Sequence, residues 1–163
     1  MATGNTLCVF TPLQNEPAAT NMATIDTRNG HFVLDFDDTT GETAFFKGVL
    51  PRHYAAGGIT VYVHASLTSA VTGTLGWLVA FERVSDSIQD IDADGFAADT
   101  TITAATVPGT SGHVSILNAA MANGAAIDSI AVGEGFRLRI TRNVAGDSAV
   151  GDAELWAVEL KET

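Results

Sequence analysis

The sequence predicts an all-β domain built as an antiparallel sandwich, and three observations carry that expectation. Apolar and polar residues alternate over several short stretches, turn-forming dipeptides separate those stretches, and almost no segment has helical periodicity. The alternation is clearest in the middle of the chain. Ile59, Val61, Val63 and Ala65 point one way, while Thr60, Tyr62, His64 and Ser66 point the other. Beyond the turn at Gly73, Leu75, Trp77, Val79 and Phe81 repeat the pattern, and Glu82 and Arg83 close the strand.

The remaining elements follow in chain order. Thr6–Phe10 reads as a first short strand. Residues 11–21 are irregular because Pro12 and Pro17 oppose regular structure, so residues 1–21 are expected to form an extended N-terminal arm. Arg28-Asn29-Gly30 has Asn-Gly turn chemistry, since both central residues tolerate positive φ. His31–Phe36 then alternates Phe32, Leu34 and Phe36 against Val33 and Asp35. A turn at 37–41 leads to a strand at 42–50, which Pro51 ends. Residues 96–107 and 111–120 are weaker strand candidates on either side of Pro108-Gly109. Phe136, Leu138 and Ile140 alternate with Arg137, Arg139 and Thr141, and Trp156, Val158 and Leu160 form the last strand. Residues 123–131 could carry at most one short helix. About eight strands at regular spacing imply a two-sheet sandwich or a barrel, and residues 1–163 form one domain.

Composition narrows the classes of function. With 46% hydrophobic and 17% charged residues, 163 residues can bury a core of their own. The lone Cys8 forms no internal disulfide, and its neighbours Leu7 and Val9 suggest a buried thiol. Residues 1–5 show no basic segment leading into an apolar stretch, so no secretory leader is expected. No apolar run approaches the ~20 residues of a membrane-spanning helix. Nineteen acidic residues against eight basic ones give −11, which repels nucleic-acid phosphate and anionic membrane surfaces. That charge either keeps a particle or oligomer soluble or serves cation binding.

No catalytic pattern emerges, and no enzyme is expected. His31, His53, His64 and His113 are not spaced to share a helix face and have no cysteine beside them, so zinc is not expected. No nucleophile elbow, phosphate loop or dinucleotide fingerprint occurs. Ser111-Gly112-His113 is turn-like and has no acidic partner in the sequence. The Asp37-Asp38 pair could flank a sugar, although surface carboxylates in a β domain pair often by chance. Asp90-Ile91-Asp92-Ala93-Asp94-Gly95 matches the opening of a calcium loop, with Asp90, Asp92 and Asp94 as ligands. Its ninth and twelfth positions are Ala98 and Thr101 where a calcium loop would place oxygen donors, and no helix flanks it. An acidic inter-strand loop is therefore the alternative reading, and neither a metal nor another cofactor is expected. Trp77 and Trp156 both sit in strand patterns that suggest core, and only two Tyr accompany them, which argues against an aromatic sugar groove.

Several segments, read together, resemble a family of tailed-bacteriophage virion proteins. They are Phe45 to Leu50, Pro51-Arg52-His53-Tyr54, Gly57-Gly58 and Ile59 to Ala65, then Trp77 to Arg83 before an Asp-rich loop. Ala131 to Arg142 and Gly151-Asp152-Ala153-Glu154-Leu155 resemble the closing strands. The resemblance implies a jelly roll that decorates, or cements, the outer surface of a capsid. It further implies a homotrimer that binds the major capsid protein at capsomer junctions and has no catalytic residues. The rival classes are a receptor-binding or carbohydrate-binding module of the same sandwich, and a neck or tail adaptor.

Overall fold

A computed structural model of the chain describes residues 4–163. Among the described residues, eleven strands make two antiparallel sheets: β1 (Thr6–Phe10), β2 (Glu16–Pro17), β3 (Thr24–Arg28), β4 (His31–Phe36), β5 (Thr43–Val49), β6 (Ile59–Leu67), β7 (Thr74–Val84), β8 (Thr100–Thr106), β9 (Ser115–Met121), β10 (Gly135–Arg142) and β11 (Ala153–Glu162). One sheet runs β3-β4-β11-β6-β9, with β1 also paired to β11. The other runs β2-β5-β10-β7-β8. Strands β4 to β11 alone form two four-stranded sheets, β4-β11-β6-β9 and β5-β10-β7-β8, which is the strand order of a jelly roll.

The predicted sandwich is thus what the chain builds, and the expected alternation accounts for its core. Val61, Val63 and Ala65 of β6 face Leu75, Trp77, Val79 and Phe81 of β7 across a buried layer that includes Phe36, Phe46, Phe136 and Leu138. Trp77 is 0% exposed and meets Phe36 edge to face at 5.0 Å. Two strands went unread in the sequence. Strand β2 has only two residues, and β3 is mostly exposed, so neither carries an apolar alternation. Residues 96–99 are not strand; Phe96 lies over Phe45 of β5 at 5.4 Å, carrying the long β7–β8 loop onto its sheet. Residues 123–131 contain only a 3₁₀ turn at Ala125–Ile127.

The stretch after β1 packs on the sandwich. A 3₁₀ turn at Pro12–Gln14 buries Pro12, β2 pairs with β5, and Met22 bridges Thr43. The long β10–β11 connection is held from within. Arg142, 1% exposed, donates from Nε to Asp147 at 2.9 Å and from its terminal nitrogens to the carbonyls of Phe36, Ala149 and Gly151.

One core expectation is corrected. Trp156 is 48% exposed and stands on the outer face of the six-stranded sheet. Ala153 and Leu155 point inward at odd positions, Val158 and Leu160 at even ones. The register shifts between Leu155 and Ala157, so Trp156 is the extra residue of a β-bulge and turns outward. The bulge falls where the edge of β11 changes partner: β4 pairs with Ala153 to Leu155, and β1 pairs from Val158 onward.

Candidate functional site

Trp156 is the centre of the candidate site. The His64 ring from β6 lies beside the indole at 6.0 Å with planes 18° apart, so the imidazole supports the indole as a stacked partner. On one side the partner exchange along β11 leaves a depression of about 230 Å³, lined by Thr11, Pro12, Leu13, His31, Phe32 and Trp156. On the other side lies a depression of about 300 Å³ whose lining includes Arg28, Asn29, His31, Ser66, Val114 and Trp156. His31 and Trp156 belong to both, so together they form a ridge between two hollows.

The polar rim of this site is built by a turn that the sequence announced. Asn29 and Gly30 have φ of 48° and 78°, the left-handed pair of a tight hairpin turn. That turn pairs Arg28 with His31 and carries Arg28, Asn29 and His31 to the rim. Arg28 then reaches across the sheet to donate to the carbonyl of Leu67 at 2.8 Å and to the Glu154 carboxylate. Ser66 donates to the same Glu154 at 2.9 Å. Gly112, at φ 82°, leaves room for the guanidinium, because a Cβ there would lie 2.9 Å from Arg28 Nη2. The arginine is therefore held in one place before any ligand arrives.

Behind the rim the charge is negative. Asp35 stands opposite Glu154 across β4 and β11, and one of its carboxylate oxygens is buried with no partner. Burial first, then the neighbouring Glu154 and Asp26 charges, push the Asp35 carboxyl up to about 6. Among the described residues, the lysine or arginine that lines either hollow is Arg28, already paired with Glu154.

The opposite sheet carries two larger depressions, about 530 Å³ beside Phe45, Arg137 and Arg139 and about 520 Å³ beside Lys47, Val49, Val84 and Ile91, but its aromatic rings are covered. Arg137 lies over Phe45 at 4.6 Å and Arg139 over Phe96 at 4.7 Å. Arg137 pairs with Glu82 and Glu16, and Arg139 with Asp99. There the rings of Phe45 and Phe96 are stacked on each other and capped by guanidinium groups, whereas the indole of Trp156 is half exposed.

The other residues singled out in the sequence lie elsewhere. Asp90, Asp92 and Asp94 are exposed in the β7–β8 loop. The Asp90 carboxylate accepts the amide of Asp92 at 3.0 Å, and Asp94 accepts that of Gly95 at 3.0 Å. Among the described residues, the three carboxylates that come within 4.8 Å of one another are those of Asp37, Asp38 and Asp152. The Thr39 hydroxyl, with the amides of Thr39 and Thr40, donates to Asp37 and holds its carboxyl low, and Asp38 accepts the amide of Gly151 at 2.6 Å. Burial raises the Asp152 carboxyl, and the charges of Asp37 and Asp38 add to the rise. Cys8 is partly exposed, and burial raises its thiol, so it is a poor nucleophile.

Sequence reading placed His64 on the outer face of its strand, but it missed the platform and its surroundings. A signal was present in the change of inward phase between Leu155 and Val158, which requires an extra residue between them.

Comparison with known proteins bears on this geometry. No family model matches the chain, and no curated protein does. Solved structures do match. A structure of the Clostridium thermocellum endo-1,4-β-D-xylanase 10B, comprising its CBM22-1 and GH10 modules with xylohexaose, aligns over 97% of this chain at TM-score 0.54 and 12% identity. The chain spans 28% of the length of that protein. The CBM22-2 xylan-binding domain of Paenibacillus barcinonensis Xyn10C aligns over 92% of both chains at TM-score 0.53 and 12% identity. The likeness is one of fold. At this identity it transfers no residue, and what the site does has to come from its own chemistry.

Proposed function

We propose that this chain is a non-catalytic carbohydrate-binding module that stacks a sugar ring on Trp156. The observation that carries the reading is the half-exposed indole, turned out of the core by a bulge and flanked by two hollows with polar rims. A pyranose ring has an apolar C–H face and an edge of hydroxyls. An aromatic platform takes the face, and fixed donors beside it take the hydroxyls. Here Trp156 offers the platform, while Arg28, Asn29, Ser66, His31 and Thr11 offer the rim. The jelly-roll likeness to modules described as xylan-binding supports the reading at the level of fold. A glycan array with the wild-type chain and Trp156→Ala tests it. We expect binding to linear plant or bacterial glycans that the substitution abolishes; an array silent for the wild-type chain would remove the proposal.

A second reading is favoured by the apolar character of the same face. Leu13, Phe32, Trp156 and Val114 are all exposed around the two hollows, and such a patch suits contact between copies of a chain. With the phage-virion resemblance, this supports a homotrimer that binds the major capsid protein and reinforces the outer shell. Light scattering at micromolar concentration, and add-back of protein to stripped particles, test this reading. Three chain masses and restored resistance to genome loss on heating would favour it over the glycan reading.

A further inference from the structure

We infer that the ligand is an uncharged linear polysaccharide gripped in mid-chain, with about three consecutive sugar units in contact and the central one on Trp156. This inference rests on the carbohydrate-binding reading and adds the ligand's shape and charge.

The shape follows from the two hollows. His31 and Trp156 line both, and the other walls come from different segments: Thr11 to Leu13 and Phe32 for one, Arg28, Asn29, Ser66 and Val114 for the other. A sugar stacked on the His31 and Trp156 ridge has a hollow at each of its two glycosidic linkages. A site for a chain terminus needs one hollow beside its platform; here two hollows share the platform, which suits a chain that continues from both linkages. The hollows also differ in chemistry. The one beside Leu13 and Phe32 is mainly apolar and suits another ring face. The one beside Arg28, Asn29 and Ser66 presents donors and suits hydroxyl groups.

The charge of the ligand follows from the groups around it. Arg28 is paired with Glu154, and Asp35 and Asp26 add negative charge behind that pair. A polymer of uronic acids would meet a neutralised arginine backed by carboxylates, on a chain whose net charge is −11. Hydroxyl groups pay no such penalty, because they accept from the guanidinium and donate to nearby oxygens.

The test is a length series read by tryptophan fluorescence, using xylose, xylotriose and xylohexaose, with the matching gluco- and manno-oligosaccharides and polygalacturonate in parallel. In one neutral series the trisaccharide should bind at least about tenfold more tightly than the monosaccharide, and the hexasaccharide should add little. Phe32→Ala and Val114→Arg, each placed in one hollow, should weaken the hexasaccharide several-fold and bring its affinity toward that of the monosaccharide. Equal affinity for mono- and hexasaccharide would mean a terminal-sugar pocket and would overturn the mid-chain inference while leaving glycan binding intact. Preference for polygalacturonate would overturn the uncharged ligand alone. Binding to none of these probes or to any array glycan would overturn the inference and the reading beneath it.

Discussion

Trp77 and Trp156 show how two residues of one type take opposite roles in one sandwich. Trp77 fills the space between the sheets, so Trp77→Ala leaves a cavity and should cost about 3–5 kcal/mol, a fall in Tm on the order of 10 °C. Trp156 fills nothing in the core, so Trp156→Ala should leave Tm nearly unchanged and remove sugar binding. A thermal melt and a binding titration on the two variants check both statements together. Asp35 supplies a separate prediction at this scale. Its folded carboxyl titrates at about 6, above its unfolded value, so the folded chain holds the proton more tightly. That contribution to stability is present in full below the ordinary carboxylate range and is lost as pH rises to about 6. Asp35→Asn should therefore raise Tm at pH 7 and change it little at pH 4, as a melt at the two pH values would show.

At the scale of elements, the sequence was legible wherever chemistry is local. Asn29-Gly30 announced its hairpin because positive φ is a property of those residues themselves. The strands with clear alternation, β6, β7 and β10, were legible for the same reason, whereas β4 departs from its pattern, with Phe32 exposed and Val33 buried. What stayed hidden depends on partners distant in sequence. The bulge at Trp156 arises because β4 and β1 divide the same edge of β11, and Arg28 meets Glu154 only once β3 lies beside the sheet. Arg142 is the sharpest case, since alternation marks it simply as the end of β10. It is fully buried, and with Asp147 and three carbonyls it fixes the β10–β11 connection. Arg142→Met should leave Asp147 buried without a counter-charge and cost about 3–5 kcal/mol. A urea melt would register this as a lower midpoint with an unchanged slope.

For the whole molecule, the jelly roll followed from the alternating stretches, but the working face did not. Which sheet presents an unoccupied surface depends on how side chains from several strands satisfy one another. On one face Phe45 and Phe96 are stacked and capped by Arg137 and Arg139 beside depressions of about 530 and 520 Å³, whereas on the other Trp156 stands open beside its paired hollows. The two readings of that open face make different demands on the molecule in solution. A glycan-binding module leaves Trp156 in water, and a trimer joined through this face covers it. The chain has two tryptophans, one at 0% and one at 48% exposure, so acrylamide quenching separates the readings directly. We expect one emitting population that quenches readily, one that resists, and protection of the first by the bound oligosaccharide. Trp156→Phe should remove the quenchable population and so assign it. If the wild-type chain scatters light as three copies and both tryptophans resist acrylamide until dilution separates the subunits, the exposed indole belongs to a subunit contact. The virion reading would then take the place of the sugar site.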